Sequence, residues 1–160
     1  MHAEDFNAES WVVNRITQET LPFMLADLGY DVWLGNNRGA ADYSSHEKFT
    51  VDDIEYWDFT FVDMGLFDVS AMLSYITIET GLEKVSYFGF SRGNQQLLYS
   101  LATNGDYIAP KIDKFIALAP CPFRGVSNVK SYDGFFSTLS DFEIFVIYGN
   151  KWESEFDKMC

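Results

Sequence analysis

The residues best placed to do chemistry are Gly89-Phe90-Ser91-Arg92-Gly93. They stand between an apolar, strand-like run, Lys84 to Phe88, and a helical pattern that continues through Leu97, Leu98 and Leu101. A serine at so abrupt a strand-to-helix turn is held in a strained backbone conformation with its hydroxyl pushed clear of the sheet edge. The flanking positions must then be nearly free of side chains for strand and helix to pass each other. Gly89 and Gly93 answer that need, so Ser91 is read as a nucleophile for acyl transfer. The helix starting at Arg92 aims its unpaired N–H groups and positive dipole end at the point where a tetrahedral oxyanion would form. The backbone N–H of Arg92 is therefore the first candidate oxyanion donor. GxSxG is short enough to arise by chance, and it gains weight here from its place between strand and helix in an alternating chain.

The elements that must position this turn follow from hydrophobic periodicity. Leu21, Met24, Leu25 and Leu28 fall at i, i+3, i+4 and i+7, which predicts a helix over Thr20–Leu28 ended by Gly29. Tyr30–Leu34 reads as a buried strand, Gly35-Asn36-Asn37-Arg38-Gly39 breaks it, and the polar stretch to about Asp53 reads as a surface excursion. A helix is expected over Val69–Thr80, with Asp68 as N-cap, Met72, Leu73 and Ile76 on its inner face and Gly81 beyond its end. Lys84–Phe88 and Lys114–Leu118 are expected strands, Arg92–Thr103 an expected helix, and Phe142 to Tyr148 a strand or buried segment. Such alternation predicts an α/β fold with parallel strands and crossover helices.

Composition narrows the function classes. The 160 residues are 48% hydrophobic and 18% aromatic, enough for a real core, and 11 basic against 24 acidic side chains leave a net charge of −13. That balance repels polyphosphate, so nucleic acid is not an expected partner. Cys121 and Cys160 make neither a disulfide framework nor a zinc motif. Asp52, Asp53 and Glu55 lack a His or a well-spaced third ligand, and are read as a solvated turn; no metal and no cofactor is expected. Uninterrupted apolar runs stay far short of a membrane span, and the residues at Met1-His2-Ala3-Glu4 show no signal-peptide pattern. Trp33, Trp57, Phe59, Phe61 and Phe67 could line a lipid channel, but beside such periodicity they are read as core, with Met24, Met64 and Met72 as gap-fillers.

The run Leu21 to Gly39, LPFMLADLGYDVWLGNNRG, resembles the acid lipase family, that is, gastric and lysosomal acid lipases and their sterol-esterase relatives. The likeness continues through Ser44-Ser45-His46, Tyr56-Trp57-Asp58-Phe59, the helix around Asp63 to Asp68, Thr80-Gly81, the GxSxG turn and Phe115 to Pro120. It runs from about Trp11 to Phe123, and Tyr148-Gly149-Asn150-Lys151 is similar to the start of the family's cap. The resemblance implies a partial α/β-hydrolase fold, with 1–123 as core around the nucleophile elbow and 124–160 as the start of a cap or lid region. It implies Ser91 as nucleophile, Arg92 as oxyanion donor, a lipid ester (triacylglycerol or sterol ester) as substrate, lipid-surface contact through the cap, and a lysosomal or secreted location. His2-Ala3-Glu4 falls about one residue from where the family's His-Gly-Leu oxyanion loop lies, with Ala3 in place of the glycine. Phe90 and Arg92 stand where the family has His and Gln, so a fixed cation sits beside the nucleophile; pairing with a carboxylate is its expected role.

Catalysis of this class also needs an acid and then a His after the nucleophile. His2 and His46 both precede Ser91, and no His follows it; Asp106, Asp113, Asp133, Asp141 and Asp157 have no imidazole to orient. The strand carrying the oxyanion loop would precede His2 and lie between the Tyr30 and Lys84 strands. The chain therefore reads as an incomplete part of a serine hydrolase that is inactive by itself, or as a non-catalytic α/β-hydrolase relative that binds a lipid or a partner. Nucleotide binding is the weakest alternative, because Gly35 to Gly39 lacks GxGxxG spacing and a P-loop lysine.

Overall fold

Val85–Phe90 (β1), Ile112–Leu118 (β2) and Glu143–Ile147 (β3) form a parallel sheet in the order β1-β2-β3. This is seen in a computed structural model that describes residues 1–13, 20–40, 45–120 and the backbone of 143–147. Tyr87 to Phe90 lie opposite Phe115 to Leu118, so both strands deliver their carboxyl ends, Phe90 and Leu118, to one edge. Parallel strands need a long crossover, and Arg92–Ile108 (α3) supplies it. The first stretch of α3 matches the expected helix to Thr103; Asn104 then leaves helical geometry (φ −140°, ψ 39°), and a further turn reaches Ile108.

The sheet packs one face on α3, and α3 packs in turn against the helix Phe61–Thr80 (α2). Val69 and Leu73 of α2, Leu97, Leu98 and Leu101 of α3, and Tyr87, Ile112, Phe115 and Ala117 of the strands make one core. α2 is long and apolar enough to cross a membrane by length and composition alone, yet Met64, Val69 and Leu73 pack into this core and Asp68 holds Arg38. α2 also starts eight residues before the expected Val69. Thr60 is the N-cap, and a reciprocal capping box with Asp63 closes the first turn, Thr60 N donating to Asp63 Oδ2 at 2.8 Å. Those donors, the backbone N–H first, hold the Asp63 carboxyl below its ordinary value. Asp68 is thus no cap; it lies in a wide π turn, Met64–Val69, in mid-helix. There the backbone of Gly65 approaches α3 so closely that a Cβ would stand 2.9 Å from Gln96 O.

Leu21–Asp27 (α1) ends as expected at Gly29. Tyr30 N donates to Leu25 O (3.1 Å) and Gly29 N to Ala26 O (2.9 Å), with Gly29 at φ +90°, the paired closure that a left-handed residue permits. Tyr30–Leu34 forms no ladder with another strand among the described residues, contrary to expectation. Its apolar residues instead dock locally: Trp33 meets Tyr75 of α2 edge-to-face at 5.9 Å and donates Nε1–H to Asp31 Oδ2. Beside β1, where the strand carrying the oxyanion loop was expected, lies Met1. Its O accepts from Phe90 N (3.0 Å) and its N donates to Phe88 O, so one residue of chain flanks the carboxyl end of β1. The 124–160 segment expected to open a cap lies outside the described residues, apart from the backbone of β3.

Candidate active site

Ser91 has φ 50° and ψ −111°, a conformation that a residue with a Cβ rarely adopts, and it sits directly between β1 and α3. Strain of this kind, of order 1–3 kcal/mol, persists only where the surroundings over-determine it. Here Ser91 N donates to Leu118 O at 3.1 Å, and Ser91 O accepts from Asn94 N at 2.9 Å. Asn94 Nδ2 donates to the same Leu118 O at 2.9 Å, tying the first turn of α3 to the end of β2.

Both flanking glycines are forced by sterics. A Cβ on Gly89 would overlap Asn94 Oδ1 and stand 3.0 Å from its N and 3.1 Å from its Cα. A Cβ on Gly93 would stand 2.6 Å from Met1 O. Tyr87 adds a clamp from within the core: its hydroxyl donates to Gly93 O at 2.9 Å, and burial raises its pKa far above the ordinary phenol value, so it remains a donor.

The Met1 pairing carries residues 2–4 to the elbow. His2 is buried, and Ala3 with it. Asn37 N donates to His2 Nε2 at 3.2 Å, and His2 Nδ1 lies 2.9 Å from Ala3 O, which can only accept. These two partners fix the neutral tautomer with the proton on Nδ1. Burial, first, holds the imidazole below its ordinary value, the Ala3 carbonyl opposes this, and the positive charges of the amino terminus and of Arg92 lower it further. With Nε2 already engaged, His2 is a structural residue of the loop and not a base facing Ser91.

Arg92, the first residue of α3, forms an ion pair with Glu4. A cleft of about 700 Å³ opens beside this pair, lined by His2, Phe6, Trp57, Phe59, Met64 and Arg92 among others. Ser91 itself is outside its lining; the cleft meets the elbow through Arg92 and the 2–4 loop. Trp33, Trp57, Phe61 and Phe67, read from the sequence as core, are each more than two-fifths exposed, and Trp57 and Phe59 form cleft wall; Met24 is exposed as well. Met64 is buried as a gap-filler should be. The far side of the cleft is braced by Arg38, whose Nε and Nη2 bind both oxygens of Asp68 at 2.7–3.1 Å while its N donates to Asp68 Oδ2.

His46 is remote from this chemistry. Its Nδ1 accepts from Lys48 N (3.0 Å) and Phe49 N (3.1 Å), and its ring stacks on Phe49, so it serves a local turn. Asp53 likewise caps a turn, accepting from Thr50 N and Oγ1, and the backbone donor, first, then the hydroxyl lower its carboxyl pKa. Among the described residues no three His, Cys, Asp or Glu side chains gather as a metal site. Asp133, Asp141, Asp157, Cys121 and Cys160 lie outside the described residues. Tyr87, Asn94 and the Glu4 contact were not singled out in the sequence; buried polar residues on the inner face of α3, Asn94, Gln96 and Ser100, were the available signal.

No family model matches the chain. It is 44% identical over 123 residues to a probable lipase of Schizosaccharomyces pombe, covering 76% of this chain and 28% of that protein. It is 38% identical over 148 residues to the gastric triacylglycerol lipase of Mus musculus, covering 91% and 36%. It is 36% identical over 144 residues to lipase member M of Homo sapiens, covering 90% and 33%. The chain spans about a third of the length of these curated relatives. Over that span, which includes the GxSxG elbow, it belongs to the acid lipase family of gastric and lysosomal type.

Proposed function

We propose that this chain carries the nucleophile and oxyanion half of a hydrolase for lipid carboxylic esters. Ser91 Oγ attacks the ester carbonyl and forms a tetrahedral oxyanion; the alcohol leaves with a proton, an acyl-enzyme remains on Ser91, and water releases the fatty acid. The backbone N–H of Arg92 donates to the oxyanion, and the loop His2-Ala3-Glu4 contributes the facing side of the hole. No cofactor takes part. The observation that carries this reading is the conformation of Ser91 at the β1–α3 turn, with side-chain-free positions forced on both sides. Such strain has no packing benefit of its own, and a strand-to-helix turn of this kind is the one that presents a nucleophile hydroxyl at the end of a strand. Residues 92–160 contain no His, so the base that follows the nucleophile in this class is not among them. The aromatic cleft beside Arg92 suits an acyl chain, and the 124–160 segment opens the cap that meets the lipid surface.

A second reading, a non-catalytic relative that binds lipid or a partner, is favoured by Phe90 and Arg92 beside the serine. A fluorophosphonate probe separates the two. At alkaline pH, where hydroxide takes the serine proton, wild-type chain should label at Ser91 and Ser91→Ala should not. A wild type that reacts no faster than free serine would leave the binding module as the answer.

A further inference from the structure

Arg92 puts a guanidinium on the first residue of a 17-residue helix, the end where the helix dipole is already positive. An uncompensated cation there costs helix stability and places a strong anion attractor at the mouth of the cleft. Glu4 reverses both effects. Its carboxylate pairs with Arg92 across the gap between the 2–4 loop and the elbow, and a carboxylate is the charge that the helix N-terminus favours. The pair is only part-buried, with the Arg92 side chain 24% and the Glu4 side chain 47% exposed; Arg92 lines the cleft, and Glu4 acts on it from just outside the lining. The other guanidinium on the cleft wall, Arg38, is held by Asp68, and the remaining charges there are the carboxylates of Asp5 and Glu9. No uncancelled cation therefore faces the cleft among the described residues.

We propose that Glu4 is a specificity-determining residue: by cancelling the charge of Arg92 it makes the site select esters whose acyl chain carries no charge. This rests on Ser91 being the nucleophile of the proposed hydrolase. Removing Glu4 should convert Arg92 into a free cation that recruits an anionic chain; removing Arg92 should free Glu4 to repel one. A role confined to holding the fold would move charged and uncharged substrates alike.

The experiment uses two fluorophosphonates of equal tail length, one ending in a methyl group and one in a carboxylate, on the full chain at alkaline pH. In each reaction the Ser91 Oγ–P bond forms, fluoride leaves and hydroxide takes the proton. Wild type should label faster with the uncharged probe. In Glu4→Gln the anionic-to-neutral rate ratio should rise about fivefold, the upper range for a part-exposed pair. In Arg92→Gln it should fall by a similar factor, and in the double variant it should return to near the wild-type value. Arg92→Lys, which keeps the charge, should leave the ratio unchanged, and raised salt should shrink both single-variant shifts. If Glu4→Gln does not fold, Arg92→Gln and the double variant still carry the comparison. Labelled wild type with an unchanged ratio in the single variants overturns the role of Glu4 alone; no labelling of wild type at Ser91 overturns the hydrolase reading with it.

Discussion

Replacing Gly89 by Ala tests whether the elbow is built by contact or only by sequence habit. The added methyl meets one residue three times, at Asn94 Oδ1, N (3.0 Å) and Cα (3.1 Å). The amide can swing away, but it then gives up its 2.9 Å bond to Leu118 O, worth about 1 kcal/mol. The clashes with the Asn94 backbone can relax only by shifting the first turn of α3, and overpacking of this kind costs about 1–3 kcal/mol. Alanine returns about 0.4–1 kcal/mol by restricting the unfolded chain. The balance is a loss of about 1–4 kcal/mol, with displacement of the Arg92 N–H besides. Gly105, which also lies in α3, supplies the control: a Cβ there meets nothing within 4 Å, so Gly105→Ala should gain about 0.5–1 kcal/mol. Urea unfolding at constant m-value reads both. A Gly89→Ala midpoint equal to or above wild type would refute the steric account of the elbow.

Other outcomes follow from the same geometry. The 160-residue chain should hydrolyse a short-chain ester barely above background, because an oxyanion donor without a base keeps a small part of triad catalysis; robust turnover lost on Ser91→Ala would contradict this. Asp68→Asn should cost about 1–2 kcal/mol in urea unfolding, discounted for the 35% exposure of the Arg38 side chain, while a cost near zero would show that the bidentate pair braces nothing. His2 is held below its ordinary value near 6.5, so the unfolded chain binds more protons in the window just under that value. Its contribution is present above about pH 6.5 and is lost as pH falls through the folded value; His2→Asn should flatten that part of the stability profile, and an unchanged slope would rule His2 out as its source.

What the sequence made legible was whatever depends on short-range pattern. The helix over Leu21–Asp27 and its Gly29 end, the strands at Val85 and Ile112, and the elbow glycines all rest on local spacing, and all lie within a few residues of expectation. Tyr30–Leu34 has the composition of a buried strand, but a strand exists only as a ladder, and its partner is a long-range matter that no local run encodes. A helix around Asp63 to Asp68 was legible from the family resemblance, but Asp68 resembles a cap and reads as one; the competing signal, Thr60 three residues before Asp63, is the capping box that the structure uses. The cleft aromatics were misplaced for a related reason. Trp57 and Phe59 follow the excursion that ends near Asp53, and the three-dimensional path of that segment, not periodicity, brings them into one cleft with Arg92.

The division of labour within the site explains how its geometry persists without a base in these residues. Ser91 is strained by its own backbone, and what holds the strain is a set of bonds internal to the chain: Leu118 O on Ser91 N, Asn94 N on Ser91 O, and the Tyr87 hydroxyl on Gly93 O. None of them involves an imidazole. The side proposed to hold the oxyanion is equally self-contained, since Met1 O on Phe90 N seats the 2–4 loop and Glu4 on Arg92 ties that loop to the helix. The triad acid and base do separate work, deprotonating a hydroxyl that is already placed. A chain in which nucleophile and oxyanion donors are preorganised independently of the base should keep the elbow and lose only proton transfer, so Ser91 should react with a probe once solvent supplies the base.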